Sequence, residues 1–171
     1  MDDSQNAFRD AVGKLSRRWL EAGLPSRQEL DVSARKLEHL REHLNVQGLW
    51  ACSPSMVTAT LDDGLGQGLA VIETFATAIG MRLICLGLMQ TPEAIIDACR
   101  RHQPDFLGLT ILQFDTEDHL TSIANRLPRK TRIVAGGPVF TGDPDFADRT
   151  GTHYAAKNVA EFLQFMLIAV C

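Results

Sequence analysis

Residues 56–80 read MVTATLDDGLGQGLAVIETFATAIG, and the order of residue types within them decides the fold. Met56–Leu61 is a short apolar run of the kind that forms a strand. Asp62–Gly68 is acidic and rich in glycine, and beyond it Val71, Ile72, Phe75 and Ile79 recur at the spacing of one helical face. The order is strand, loop, helix. Ligands of open α/β sheets bind beyond the carboxyl ends of the strands, so the loop Asp62–Gly68 is the first place to look for a site.

The same unit repeats downstream. Met81–Leu88, MRLICLGL, is an apolar run without alternation, which predicts a parallel strand covered on both faces. Thr91 and Pro92 make an N-cap and first helical position for a helix over Glu93–His102, with Ala94, Ile95, Ala98 and Cys99 on one side. A third strand is predicted at Phe106–Leu112, a helix at Thr116–Arg126, and a fourth strand at Arg132–Ala135, stopped by Gly136-Gly137-Pro138. Asp143–Arg149 reads as a short helix, Thr152–Ala155 as a fifth strand and Val159–Ala169 as a final docking helix interrupted by Gln164. Five strands alternating with helices predict a doubly wound, flavodoxin-like α/β domain with a five-stranded parallel sheet over residues 51–171. Residues 1–50 read as a short helical N-terminal extension. Phe8, Val12, Leu15, Trp19 and Leu20 form one stripe, Gly23-Leu24-Pro25 breaks it, and Ser26 with Glu29 has capping-box spacing. Leu30, Leu37, Leu40 and Leu44 line the second helix, which Gly48 is expected to end.

Composition narrows the function. A chain of 171 residues with 45% hydrophobic and 22% charged residues can bury one substantial core plus an extension. The net charge of −4 and the scattering of its basic pairs (Arg17 and Arg18, Arg100 and Arg101, Arg129 and Lys130) exclude a phosphate-backbone partner. The acidic start MDDSQNAFRD is unlike a secretory leader, and no apolar run approaches the ~20 residues of a membrane span. Cys52, Cys85, Cys99 and Cys171 have no CxxC spacing, which points to reduced thiols and a cytoplasmic protein. His39-Leu40-Arg41-Glu42-His43 has the HxxEH spacing of inverted zinc peptidases. No third ligand accompanies it, and a solvated helix face accounts for the pattern.

Three loops fall at the ligand edge of the predicted sheet: Asp62–Gly68, Leu112–Thr116 and Gly136–Thr141. Their residues, Asp63-Gly64-Leu65-Gly66-Gln67-Gly68, then Thr110-Ile111-Leu112, then Gly136-Gly137, resemble the cobalamin-binding domain of methylcobalamin carriers and adenosylcobalamin mutases. That family carries DxHxxG after the first strand, SxL or TxL at the end of the third, and GG after the fourth. The connecting text GLMQTPEAIIDACRRHQPDFLGLTIL is similar to the mutase version, and the resemblance covers about residues 51–168. It implies cobalamin as cofactor, with Asp63, Leu65, Gly68, Thr110, Leu112, Gly136 and Gly137 as the site. In the family the Thr or Ser hydroxyl meets the displaced base, and the glycine pair lines the slot for the nucleotide tail.

One position departs from the pattern. The family histidine ligates cobalt beneath the ring while the aspartate holds its other nitrogen. Leu65 stands there, and an alkyl chain has no lone pair. A corrinoid would then be bound base-on, base-off with no protein ligand, or through a distant histidine, with His119 and His153 as the candidates. Methyl carriers of the family also cap the cofactor with a four-helix module, and the two helices predicted before this domain do not make one. Trp50, Trp19 or Phe8 would shield a ligand or pack the helical pair.

Bland readings exist for each residue. Asp62 or Asp63 would N-cap the next helix, Gly68 and Gly80 would serve packing and a C-cap, and Gly136-Gly137-Pro138 would be a turn. A dinucleotide site would need glycine where Leu69 stands and an acid where Leu86-Gly87-Leu88 stands. A receiver domain would need an aspartate ending the third strand, but Asp115 falls too late and Lys157 is loosely placed. No catalytic triad or carboxylate pair assembles, so an enzyme acting alone is not expected. The expectation is a corrinoid-binding carrier, sensor or partner subunit without the histidine ligand, working with a protein partner or a second copy. The alternative is a cofactor-free or cofactor-swapped regulatory module on the same scaffold.

Overall fold

The structure is a computed structural model that describes residues 3–169; Cys171 lies outside them. Its contacts separate two units. One holds the residues up to Pro54, Val71–Arg82 and those from Asn158 onward; the other holds Ser55–Ala70 and Leu83–Lys157.

The second unit carries the sheet. Strands β1 (Ser55–Thr60), β2 (Arg82–Gly87), β3 (Phe106–Thr110), β4 (Arg132–Gly136) and β5 (Tyr154–Ala155) lie in the order β2-β1-β3-β4-β5. The pairs β1–β3, β3–β4 and β4–β5 are parallel, and the fold is the flavodoxin-like α/β class that the strand–helix alternation predicts. Strand order reverses between β1 and β3, which makes the loops after those two strands the switch point. Thr60, Thr110 and Gly136 are in register, so three strands end on one line.

Val57 and Ala59 of β1, Leu107 and Leu109 of β3, and Ile133 and Ala135 of β4 form one core with α4 (Pro92–His102) and α5 (Glu117–Arg126). The alternating residues Met56, Phe106, Gly108 and Val134 are buried or nearly so, which is why these strands read as unbroken apolar runs. Strand β2 differs from expectation. It is the sheet's edge, Arg82 and Cys85 are exposed, and the rest is only half buried. An apolar run reports β structure but not the neighbour that an edge lacks.

Helix α4 starts as predicted, with Thr91 Oγ1 accepting from Ala94 N at 3.2 Å and Pro92 at its first position. Its buried side is Ile95, Ile96, Ala98 and Cys99; Ala94, in the capped first turn, is exposed instead. Burial pushes the Cys99 thiol up to about 12, so this cysteine is a packing residue. A 3-10 turn, Phe114–Thr116, precedes α5; the short helix predicted at Asp143–Arg149 is α7 (Phe146–Thr150), and a further short helix that was not predicted, α6 (Val139–Gly142), comes before it across a turn at Asp143-Pro144-Asp145. Asp143 Oδ1 accepts from Asp145 N there at 3.0 Å.

In the first unit α1 (Asp3–Ala22) packs along α8 (Val159–Ile168) and touches α2 (Arg27–His43). Phe8, Val12, Ser16 and Trp19 form the buried stripe of α1, while Leu20 is exposed. Gln164, the polar break in the C-terminal segment, donates to Ser16 Oγ at 2.5 Å. Arg9 donates to the carbonyls of Leu49 (2.8 Å) and Leu167, and Trp50 Nε1 donates to Ala169 O at 2.8 Å, which anchors the last helix. Trp19 meets Phe75 of α3 (Gln67–Ala78) edge to face at 5.5 Å. The capping box of Ser26 and Glu29 is present. Helix α2 ends at His43, short of Gly48, because Asn45 turns the chain through the left-handed region (φ 53°). Gly80 is the C-cap of α3: its N–H donates to Thr77 O and that of Met81 to Ala76 O, each at 3.0 Å, with φ +96° at the glycine. Among the described residues no helix is long and apolar enough to cross a membrane.

At the amino end of the sheet, Asp105 Oδ2 accepts from Ser55 N (2.8 Å) and Ser55 Oγ, and Lys130 sits 3.2 Å from Oδ1. Burial raises its pKa, but the Ser55 amide, Lys130 and the Ser55 hydroxyl together outweigh that and hold it below the usual carboxylate range. A carboxylate depressed in the folded state stabilises above its unfolded pKa and loses that contribution as pH falls through the folded one. Asp105→Ala is therefore expected to cost about 1–2 kcal/mol near neutrality. In urea denaturation across pH, the difference from wild type should begin to shrink as pH falls below about 4, the unfolded value, and go on falling through the lower folded one.

Candidate functional site

The last residues of β1 tie together three loops at the carboxyl edge. Thr60 is fully buried; its Oγ1 donates to Asp63 O at 2.6 Å and accepts from Met89 N at 2.8 Å, while its carbonyl accepts from Gln90 N at 2.7 Å. The loop after β2 is thereby fixed to β1. On the other side, Asp62 Oδ1 accepts from Leu112 N at 2.8 Å and Oδ2 from Gln113 N at 2.7 Å, which fixes the loop after β3. Asp63 turns inward: its Oδ1 accepts from Leu65 N (2.8 Å) and Gly66 N (3.0 Å), shaping the turn that leads into α3. The capping expected of these two aspartates becomes, in the structure, one turn bond set and one bridge between loops.

Held this way, the loops present apolar side chains to solvent. Leu65 is 81% exposed, Met89 59% and Phe114 52%, with Leu88 and Leu112 also exposed. These are all of the exposed large hydrophobic residues described in the second unit, and each lies on a loop after β1, β2 or β3. Scattered apolar surface residues need no explanation, but five large ones on neighbouring loops at a ligand edge do. After β4 the pattern changes, because Val139 and Phe140 are buried. Phe114 is braced edge to face on Phe146 at 5.8 Å. Arg149 pairs with Glu117 (3.0 Å) and Asp143 (2.7 Å) and holds both carboxyls below their usual range; all three are solvent-exposed enough to add little stability.

The predicted site residues fall into two groups. Asp63, Leu65, Gly68 and Leu112 lie on the loops just described or on the first turn of α3, whereas Thr110 is the half-buried last residue of β3. A Cβ on Gly64 or Gly68 would meet nothing within 4 Å, so neither glycine serves packing. Gly136 and Gly137 do: a Cβ on the first would lie 2.9 Å from Ala156 O and on the second 1.8 Å from Ile111 O. That pair brings the ends of β3 and β4 together. His119 is exposed in the first turn of α5, on the carboxyl side of β3. His153 is not at this edge. It precedes β5, beside the start of β4, where its Nδ1 accepts from Ile133 N at 3.0 Å, and burial with the Arg132 charge lowers its pKa. His39 and His43 are on an exposed face, and among the described residues no His/Cys/Asp/Glu group is arranged to hold a metal.

Thr60, Leu88, Met89 and Phe114 are not among the site residues expected from the sequence, and Asp62 is expected there only as an N-cap. The signals in the sequence are the apolar pair Leu88-Met89 and the aromatic Phe114 beside Leu112 just after a strand.

Comparison with known proteins resolves the family. The family model described as the B12 binding domain matches residues 56–161, well over half of the chain. The chain belongs to the B12-binding domain family. Solved structures agree on the fold of this B12-binding domain protein. It is similar to a cobalamin-binding protein from Desulfitobacterium hafniense DCB-2, with TM-score 0.78 and 20% identity over 95% of this chain and 79% of the other. The monomethylamine corrinoid protein of Methanosarcina barkeri gives 0.61 and 16% over 94% and 95%. The methanol:cobalamin methyltransferase complex of the same organism gives 0.65 and 17% over 97% and 66%. No curated protein matches the sequence.

Proposed function

We propose that this B12-binding domain protein holds a corrinoid on the loops after β2, β1 and β3, lends the cobalt no ligand from the β1 loop, and works as a carrier, sensor or partner subunit. The observation that carries this reading is the apolar edge: Leu65, Leu112 and Phe114 exposed on the switch-point loops, with Leu88 and Met89 exposed on the adjoining loop after β2. Covering an apolar side chain of that size is worth roughly 1.5–3 kcal/mol when complete, which gives these loops reason to take the broad face of a macrocycle.

The bare glycines support the same reading. Glycine in place of alanine costs about 0.5–1 kcal/mol inside a helix, and at Gly68 no neighbour in the chain requires it. Gly64 and Gly68 leave backbone open for close approach of a ligand. Leu65 offers a corrinoid an apolar surface and no donor atom, so a corrinoid held here would keep its own base or go without a ligand from this loop. Asp63, whose counterpart in the family serves the histidine, is engaged by Leu65 N and Gly66 N. When bound, a corrinoid supplies an alkyl-carrying cobalt; the chain's residues bind and orient it, and a partner protein completes any transfer. The cofactor-free alternative draws on Gly136 and Gly137, whose contacts with Ala156 and Ile111 explain them as scaffold.

The test is retention of hydroxocobalamin through desalting by wild type and by Phe114→Asp. A charge on the apolar edge must be desolvated when the ring covers it, so affinity should fall about tenfold or more. Wild-type protein that emerges colourless contradicts the reading, as does a Phe114→Asp variant that binds as tightly as wild type.

A further inference from the structure

We infer that Asp62, which lies outside the DxHxxG positions, is the positioning residue of the corrinoid edge; this rests on the reading above. Its carboxylate spans two strands that are neighbours in space but some fifty residues apart in sequence, accepting from Leu112 N at 2.8 Å and Gln113 N at 2.7 Å. Hydrogen bonds to an ionised acceptor are about twice as strong as neutral ones, and two consecutive N–H donors on one carboxylate fix direction as well as distance. Without that acceptor the two amides at the end of β3 would turn to water, and the segment carrying Leu112 and Phe114 would lose its tie to the segment carrying Leu65. Thr60 makes the corresponding tie to Leu88 and Met89 through Met89 N.

The two ties differ in what they tolerate. Thr60 is buried without remainder, so its loss disturbs the core, whereas Asp62 is only half buried and its side chain serves the neighbouring loop alone. Asp62 thus sets the shape of the apolar edge while β1 itself is held by other residues.

The experiment compares wild type, Asp62→Asn and Asp62→Ala by amide hydrogen exchange and by hydroxocobalamin titration, with urea midpoints as the check on folding. Asn keeps an acceptor oxygen without charge, so the graded order wild type, Asn, Ala is expected in both readouts. In the alanine variant the Leu112 and Gln113 amides should exchange about tenfold faster and corrinoid affinity should fall about tenfold, with a urea midpoint lowered no further than by Asp105→Ala. Unchanged exchange at those amides overturns the inference. So does faster exchange with unaltered corrinoid affinity and spectrum, since the tie would then be structural only. If wild type retains no corrinoid, the functional reading fails and the positioning role falls with it, while the exchange arm still decides whether Asp62 joins the loops.

Discussion

A Leu65→His variant is expected to bind hydroxocobalamin about 10–100-fold more tightly than wild type and to change its visible spectrum, the scale by which ligand-shell changes alter metal affinity. The side chain at this position is 81% exposed, so the substitution should leave the fold within about 0.5 kcal/mol of wild type. Asp63 stands two residues before it, with Oδ1 accepting from Leu65 N and Gly66 N, and would have to give an oxygen to the new imidazole's other nitrogen for the histidine to be held as a metal ligand. The gain should disappear as pH falls below about 6.5, where the imidazole takes a proton and loses its lone pair. Identical affinity and spectrum in the two proteins would mean that the site differs from its family by more than one residue.

Gly137→Ala should produce the largest loss of stability. The backbone at Gly137 has φ +131°, outside what an L side chain adopts readily, and the new Cβ would fall 1.8 Å from Ile111 O, a backbone atom just past β3 that cannot swing aside as a side chain would. Opening that contact strains the bond from Ile111 N to Gly136 O (2.9 Å) that joins the same two strand ends. Overpacking and left-handed strain together should cost about 3–5 kcal/mol, a large part of the stability of a domain this size. Thermal unfolding should show a melting temperature lower by roughly 10 °C. Gly68→Ala, with open space around it, is the control and should be no less stable than wild type, gaining up to about 0.5–1 kcal/mol.

The contrast between those two glycines explains how far the sequence could be read. Periodicity, Thr91-Pro92 and the Ser26–Glu29 box reveal elements because the physics behind them is local. The five-stranded parallel sheet followed from alternation of elements. What stayed hidden depended on partners far along the chain. Asp62 and Asp63 are adjacent and chemically identical, yet one bonds Leu112 and Gln113 and the other its own loop. Gly136-Gly137 and Gly64-x-x-x-Gly68 both read as glycines at strand ends, and only the folded chain separates packing from open backbone. His153 stands just before a strand only two residues long, and its place beside the start of β4 depends on the pairing of β4 with β5. The apolar loop residues were legible one at a time, but their assembly into one edge required the sheet order.

The central claim is that a corrinoid sits on this edge with no protein nitrogen on its cobalt. Electron paramagnetic resonance of cob(II)alamin bound to uniformly nitrogen-15-labelled protein tests it most directly, because a ligand from the protein and one from the cofactor then split the cobalt signal differently. The account predicts a bound paramagnetic corrinoid whose splitting comes from the cofactor's own nitrogen-14 base, or shows no axial nitrogen. Nitrogen-15 splitting, with exposed His119 the first residue to replace, or a protein that retains no corrinoid, would contradict it.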